Sequence, residues 1–273
     1  MLRILLGIFI STQCFAGTPN FKKVIHIIFE NADYDEALKA PYFNSLVKYG
    51  ALFTQFTAIT HPSQPNYIAM VAGSPLGVLL DGEYNLNSNH LGTLFSRKGL
   101  TWKAYAEGYP GNCYLGKRSG KYVRKHVPFL SFIDVQNNPS ECAKVVNANQ
   151  FYADAQTGSL PAYSMFVPDL NHDGHDTDAN QASSWFASAF GTILADQKIM
   201  SETLFVITYD ETESYFGPNR VFTLLIGANV KAGTVVNTPV NHYSILRLVE
   251  DQFGLGNLGL YDSRATPIPD IWQ

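Results

Sequence analysis

Ser63 lies in the run Thr60-His61-Pro62-Ser63-Gln64-Pro65-Asn66-Tyr67, followed by the apolar stretch Ile68-Ala69-Met70-Val71-Ala72 and by Gly73. Pro65 suits a first helical turn, where a missing N–H costs nothing, and Gly73 suits a helix C-terminal cap. The spacing therefore predicts a helix with Ser63 at or just before its N-terminus. Backbone N–H groups and the positive end of the helix dipole favour an anion there, a serine alkoxide or a bound phosphate. The plainer role is that of an N-cap serine.

Two acidic pairs, Glu30-Asn31 and Asp210-Glu211, each follow an apolar run. Hard oxygen donors of this kind suit Ca²⁺, Mg²⁺ or Mn²⁺, whereas histidine-rich sets favour zinc. Taken singly, either pair could be an exposed turn at a strand end. The segment Asp169-Leu170-Asn171-His172-Asp173-Gly174-His175-Asp176-Thr177-Asp178 is a metal or phosphate site or a polar turn. It is no EF-hand loop, because no carboxylate stands in the closing position. His242 stands directly before an amphipathic stretch, either starting a helix or entering a cleft. The basic run from Lys117 to His126 reads as a phosphate clamp, a contact for anionic lipid head groups, or a solvated loop.

These residues need elements to position them. Strands are expected at Lys23–Phe29, Ala51–Ile59 (leading directly into Ser63), Thr101–Ala106, Ala162–Val167, Leu204–Thr208 and Val221–Gly227. Helices are expected at Pro41–Tyr49, His90–Lys98, Ala182–Ala195 and Tyr243–Phe253. Residues 107–160 read as a loop-rich excursion over the active face. Alternating strands and helices indicate an α/β fold with a mostly parallel sheet. Ligands of such sheets bind at the carboxyl ends of the strands, the edge that would gather Glu30, Asn31, Ser63, Asp169, Asp210 and Glu211.

At 273 residues and 46% apolar content the chain can bury one substantial core, and its net charge of −4 does not suggest a nucleic-acid binder. Arg3, the apolar run Ile4–Ile10 and the small-residue site at Ala16 read as a signal peptide over 1–16, leaving one domain over 17–273. Cys113 and Cys142 then remain, paired or as free thiols.

Taken together, Phe29-Glu30-Asn31, the proline-flanked Ser63 motif, Gly120-Lys121-Tyr122-Val123-Arg124-Lys125-His126-Val127-Pro128, His175-Asp176, Thr208-Tyr209-Asp210-Glu211, Asn241-His242-Tyr243 and Asp270-Ile271-Trp272 resemble a bacterial phosphoesterase family of secreted acid phosphatases and phospholipases C. The small secreted acid phosphatases of mycobacteria are the members it resembles most. The resemblance implies a three-layer alkaline-phosphatase-like fold and an exported (secreted or periplasmic) monomeric phosphomonoesterase. It implies Ser63 as nucleophile, with Glu30, Asn31, Asp210 and Glu211 holding one divalent metal ion, Ca, Mg, Mn or Zn. Asn66, His61, His126 and Lys121 would bind phosphoryl oxygens. His175, oriented by Asp176, and His242 would complete the catalytic set. Asn171 stands where two-metal members carry an aspartate four residues before the histidine, which favours a single metal. Phosphoinositides such as phosphatidylinositol 3-phosphate are among the substrates implied. A phospholipase C-type phosphodiesterase and a non-catalytic secreted binding module are the alternatives.

Overall fold

Runs of β-branched and aromatic residues set the centre of the fold. The computed structural model describes residues 18–273, so the expected signal peptide lies outside the described residues. Eight strands make the central sheet: β1 (Lys23–Phe29), β2 (Gly50–Phe53), β3 (Trp102–Ala106), β4 (Val145–Asn147), β5 (Tyr163–Val167), β6 (Thr203–Tyr209), β7 (Thr223–Gly227) and β8 (Thr234–Val236). Their spatial order is β8-β2-β7-β6-β1-β5-β3-β4. Seven run parallel, and β7 runs antiparallel to both its neighbours. β1 is buried on both faces apart from Lys23, as its unbroken apolar run requires.

The helices of two turns or more are α1 (Ser63–Ala72), α2 (Leu91–Lys98), α3 (Asn149–Thr157), α4 (Ala179–Ala195) and α5 (His242–Phe253). On one face of the sheet Phe29 meets Phe43 of the short helix Pro41–Leu46 and Phe186 of α4, at ring separations of 5.0 and 5.7 Å. On the other, Phe95 of α2 stacks on Tyr163 and meets Phe253 of α5, at 5.6 and 5.2 Å. Helices thus cover both faces of a mostly parallel sheet, the three-layer α/β arrangement expected. α1 ends at Gly73 in the left-handed region (φ 68°), and a Cβ there would collide with the Asp262 carboxylate, so glycine is required.

Two expectations need correction. Ala51–Ile59 is not one strand: β2 stops at Phe53, and Phe56–Thr57 leaves the sheet to pair in parallel with Val240–Asn241. The Thr54 hydroxyl, bonded to Asn237, fixes the break. This small ribbon delivers Ser63 and His242 from the same place. Nor is 107–160 only a loop over the site. Its first half is, but Val145–Asn147 extends the sheet beside β3, and α3 packs Phe151 on Phe166 and Phe190 at 5.0 and 5.3 Å. A disulfide joins Cys113 to Cys142 across this region, with Cα atoms 5.6 Å apart.

Glu250 of α5 is fully buried, and neither carboxyl oxygen has a hydrogen-bond partner. Burial first, then the nearby Asp262 charge and that of Asp251, against Arg247, push it up to about 8 from 4.5. The folded state therefore binds a proton that the unfolded chain releases near pH 4.5. The stability from that proton is complete below pH 4.5 and is lost as pH rises through 8. Thermal unfolding between pH 5 and 9 should show a falling midpoint in the wild type. The decline should be shallower in Glu250→Gln; parallel curves would refute this assignment.

Candidate active site

The register of β1 on β6 sets Phe29 against Tyr209, so Glu30 and Asp210 emerge side by side at the carboxyl edge. The Asp210 N–H donates to the Phe29 carbonyl (2.9 Å). Asn31 turns the chain away with a left-handed φ of 52°, and its N–H donates to Asp210 Oδ1 (3.3 Å), which also accepts from the Glu211 N–H (2.7 Å). Asp210 Oδ2 and both Glu30 oxygens are buried without a hydrogen-bond donor.

Ser63 opens α1 almost fully buried, its hydroxyl donating to Glu211 Oε1 (3.0 Å). The other Glu211 oxygen meets His61 Nδ1 at 2.5 Å. One carboxylate thus spans both sides of Pro62. Burial and the Glu30 charge push Glu211 up to about 8, and burial with Glu30 and Glu211 raises Asp210 strongly.

His126 lies 2.5 Å from Glu30 (Nε2 to Oε1) and 3.5 Å from Asp173 (Nδ1 to Oδ2). The Glu30 contact is an ion pair without hydrogen-bond alignment. Its ring stacks on Tyr67 of α1 with centroids 4.9 Å apart. Burial pulls the imidazole down, yet the Glu30 charge and the contacts with Asp173 and Glu30 together outweigh it and carry His126 up to about 9. Burial likewise opposes ionisation of Glu30, but His126 holds it at about 2. The pair is ionised.

Four carboxyl groups, Glu30, Asp173, Asp210 and Glu211, are therefore buried together against His126 and the partly exposed Lys125. Such a set is short of positive charge, and the orphaned oxygens of Glu30 and Asp210 are hard donors. The residues present fit a divalent cation. Among the described residues, however, the group of three whose ligand atoms close to within 4.8 Å of one another is Glu107, Asp169 and His172, not the expected set.

Around this centre the remaining expected residues divide. His175 bonds Asp176 (Nδ1 to Oδ1, 2.9 Å), whose other oxygen accepts from Lys121 (2.9 Å). Lys121 is thus spent on orienting that pair. Asn66 accepts from the N–H groups of Ile59 and Thr60 (2.9 and 3.0 Å) and donates to the carbonyls of Thr60 and Pro62 (2.8 and 3.3 Å). Expected on phosphate, it has no polar atom free and acts as a staple for the loop that carries Ser63. His242 is buried, and its ring meets the Asp210 carbonyl (Nε2 to O, 2.8 Å). Burial lowers it to about 4, so it is neutral and donates that hydrogen bond. Arg124, within the basic run, is nearly buried and donates to the carbonyls of Leu115, Tyr84 and Leu130. It braces the loop instead of facing solvent.

Three contacts had no sequence signal. Asp81 accepts from the Gln64 N–H at the start of α1 (3.1 Å) and from Lys125 Nζ (2.7 Å). It occupies the helix end where an anion was expected. Tyr215 stacks on His61 at 4.4 Å, and Asp173 gains its importance only from contact with His126.

A sequence model of the Phosphoesterase family matches residues 31–256. A probable acid phosphatase of Kluyveromyces lactis is 34% identical over 90% of this chain and 61% of its own. A phosphatidylinositol-3-phosphatase of Mycobacterium tuberculosis is 32% identical over 94% of this chain and 85% of its own. The chain spans about three fifths of the yeast protein's length. A solved structure from Vibrio parahaemolyticus, described as a protein in the alkaline phosphatase superfamily, superposes with a TM-score of 0.62 at 13% identity, covering 92% of this chain and 71% of that one.

Replacing Asn66 by Ala removes the acceptor of the Ile59 and Thr60 N–H groups and two hydrogen bonds to the Thr60 and Pro62 carbonyls. It should cost about 2–3 kcal/mol, read as a lower denaturant midpoint. Arg124→Met should lower stability by a similar amount, about 2–3 kcal/mol, without raising the KM for a soluble phosphomonoester. A KM effect with unchanged stability would return Arg124 to the substrate.

Proposed function

The chain belongs to the phosphoesterase family, and on that premise we propose that it is an exported acid phosphatase that hydrolyses phosphomonoesters through a phosphoserine. One observation carries the reading: Ser63, at a helix N-terminus, donates a hydrogen bond to the buried Glu211 carboxyl group (3.0 Å). Ser63 Oγ attacks phosphorus, forming the P–Oγ bond as the bond to the alcohol oxygen breaks, and its proton passes to Glu211. His175, held through Nδ1 by Asp176, gives a proton to the departing alcohol. Water then cleaves the P–Oγ bond. His126 supplies a fixed positive charge beside the acids.

Glu30, Asn31, Asp210 and Glu211 would hold a divalent cation, whose charge favours the serine alkoxide and offsets that of the phosphoryl group. The donor set is oxygen throughout. Export agrees with the Cys113–Cys142 disulfide and with the signal-like first 16 residues. Among the described residues no helix is long and apolar enough to cross a membrane. The alcohol portion is assigned to a cleft of about 250 Å³ lined by Lys117, Arg118, Lys125, Leu170 and His175. Asp81, paired with Lys125, and Glu83 share the wall with Lys117 and Arg118; the last two suit an anionic group on the alcohol portion, and phosphoinositides, the class named for the mycobacterial relative, carry one.

Brief incubation with excess nitrophenyl phosphate and acid quenching should leave the wild type heavier by about 80 Da, one phosphoryl group, as read by intact mass. Ser63→Ala should show no adduct and no turnover. Turnover by Ser63→Ala would remove the serine from the mechanism, and preference for nitrophenyl phosphocholine would replace the monoesterase reading with a diesterase.

A further inference from the structure

Seven large apolar side chains are exposed among the described residues, and four of them, Leu79, Leu80, Tyr215 and Phe216, lie in two loops beside the nucleophile. Phe216 is 93% and Leu79 76% exposed. Neither loop is remote. Residues 79–82 are fastened to the start of α1 by Asp81 on the Gln64 N–H and by the Gly82 N–H on Gln64 Oε1 (2.7 Å). Residues 215–219 are fastened to the other side of Ser63 by Tyr215 on His61 and by the Asn219 amide on the Thr60 carbonyl (2.8 Å). The apolar tips therefore bracket the mouth of the site. The cleft between the first loop and His175 adds Lys117 and Arg118, beside Glu83 and the ion pair of Lys125 with Asp81 (2.7 Å).

We propose that this face docks on a lipid bilayer, with Leu79, Leu80 and Phe216 entering the interfacial layer, Tyr215 at head-group level, and Lys117 and Arg118 on lipid phosphates. This rests on the phosphomonoesterase reading and names the form in which substrate arrives: as the head group of a lipid held in the membrane. Separate apolar tips around a polar mouth, with cations between them, match an interfacial surface. A bilayer seated on these tips presents its head groups to the mouth that they bracket.

The test uses the full-length mature protein and phosphatidylcholine vesicles containing phosphatidylinositol 3-phosphate. Co-sedimentation and phosphate release are measured for the wild type and for the triple variant Leu79→Ser, Leu80→Ser, Phe216→Ser. These three side chains touch no catalytic group. The variant should bind vesicles and release lipid phosphate at least about tenfold less well, while hydrolysing soluble nitrophenyl phosphate within about twofold of the wild type. Equal vesicle binding by variant and wild type, or a wild type that stays in the supernatant, overturns the docking surface. Sedimentation decides this even if the soluble ester is not hydrolysed, an outcome that would defeat the phosphatase reading alone.

Discussion

Like charges resist being buried together, and this protein buries four carboxyl groups at one edge of its sheet. Glu30, Asp173, Asp210 and Glu211 are each 2% exposed or less, so water does little to screen them. Their neighbours are arranged to relieve that repulsion. His126 is gripped between Glu30 and Asp173 and held flat by Tyr67. Asp210 takes two backbone N–H groups on one oxygen, and its own carbonyl is occupied by His242. What remains without a hydrogen-bond donor, both Glu30 oxygens (one of them ion-paired with His126) and Asp210 Oδ2, is an anionic hollow. A buried charge left without a partner is among the most costly features a fold can carry, so the hollow is chemically suited to a cation.

Ser63, the proposed nucleophile, is held against this hollow by a small number of polar contacts. Asn66 closes the loop ahead of Ser63 from inside the helix that Ser63 begins. Glu211 reaches across Pro62 to hold the serine and His61 at once. Arg124 fixes the excursion that carries His126 by tying three carbonyls from separate turns. Asn66 spends its whole amide on backbone and Arg124 makes three bonds to carbonyls, so both loops are tied down by polar contacts.

The sequence made the scaffold legible where a local signal exists. An apolar run followed by acids marks β1 with Glu30 and β6 with Asp210, and Pro65 with Gly73 bounds α1. Resemblance to the family supplied the candidate residues but not what each touches. Lys121 and Arg124 read alike as exposed cations, yet one orients Asp176 and the other is sealed among carbonyls. Asp81 sits alone in an irregular segment, with no period or neighbour to single it out. Its role comes only from a contact with Gln64 seventeen residues away. The break in the 51–59 strand was hidden for the same reason, since it depends on Asn237 and on pairing with Val240–Asn241.

The pairing of β1 with β6 has a consequence for how the chain comes into being. Asn31 and Asp210, which share a hydrogen bond, are 179 positions apart, so a nascent chain emerging from its N-terminus holds Glu30 and Ser63 long before their acidic partners exist. Contacts of such long separation form late, after the loop between them has been closed. The repulsive cluster is thus postponed to the last stage of assembly, when most of the aromatic core is in place to bear it. A chain released short of residue 203 could bury its early helices but would never confront the crowding of negative charge that defines the finished protein.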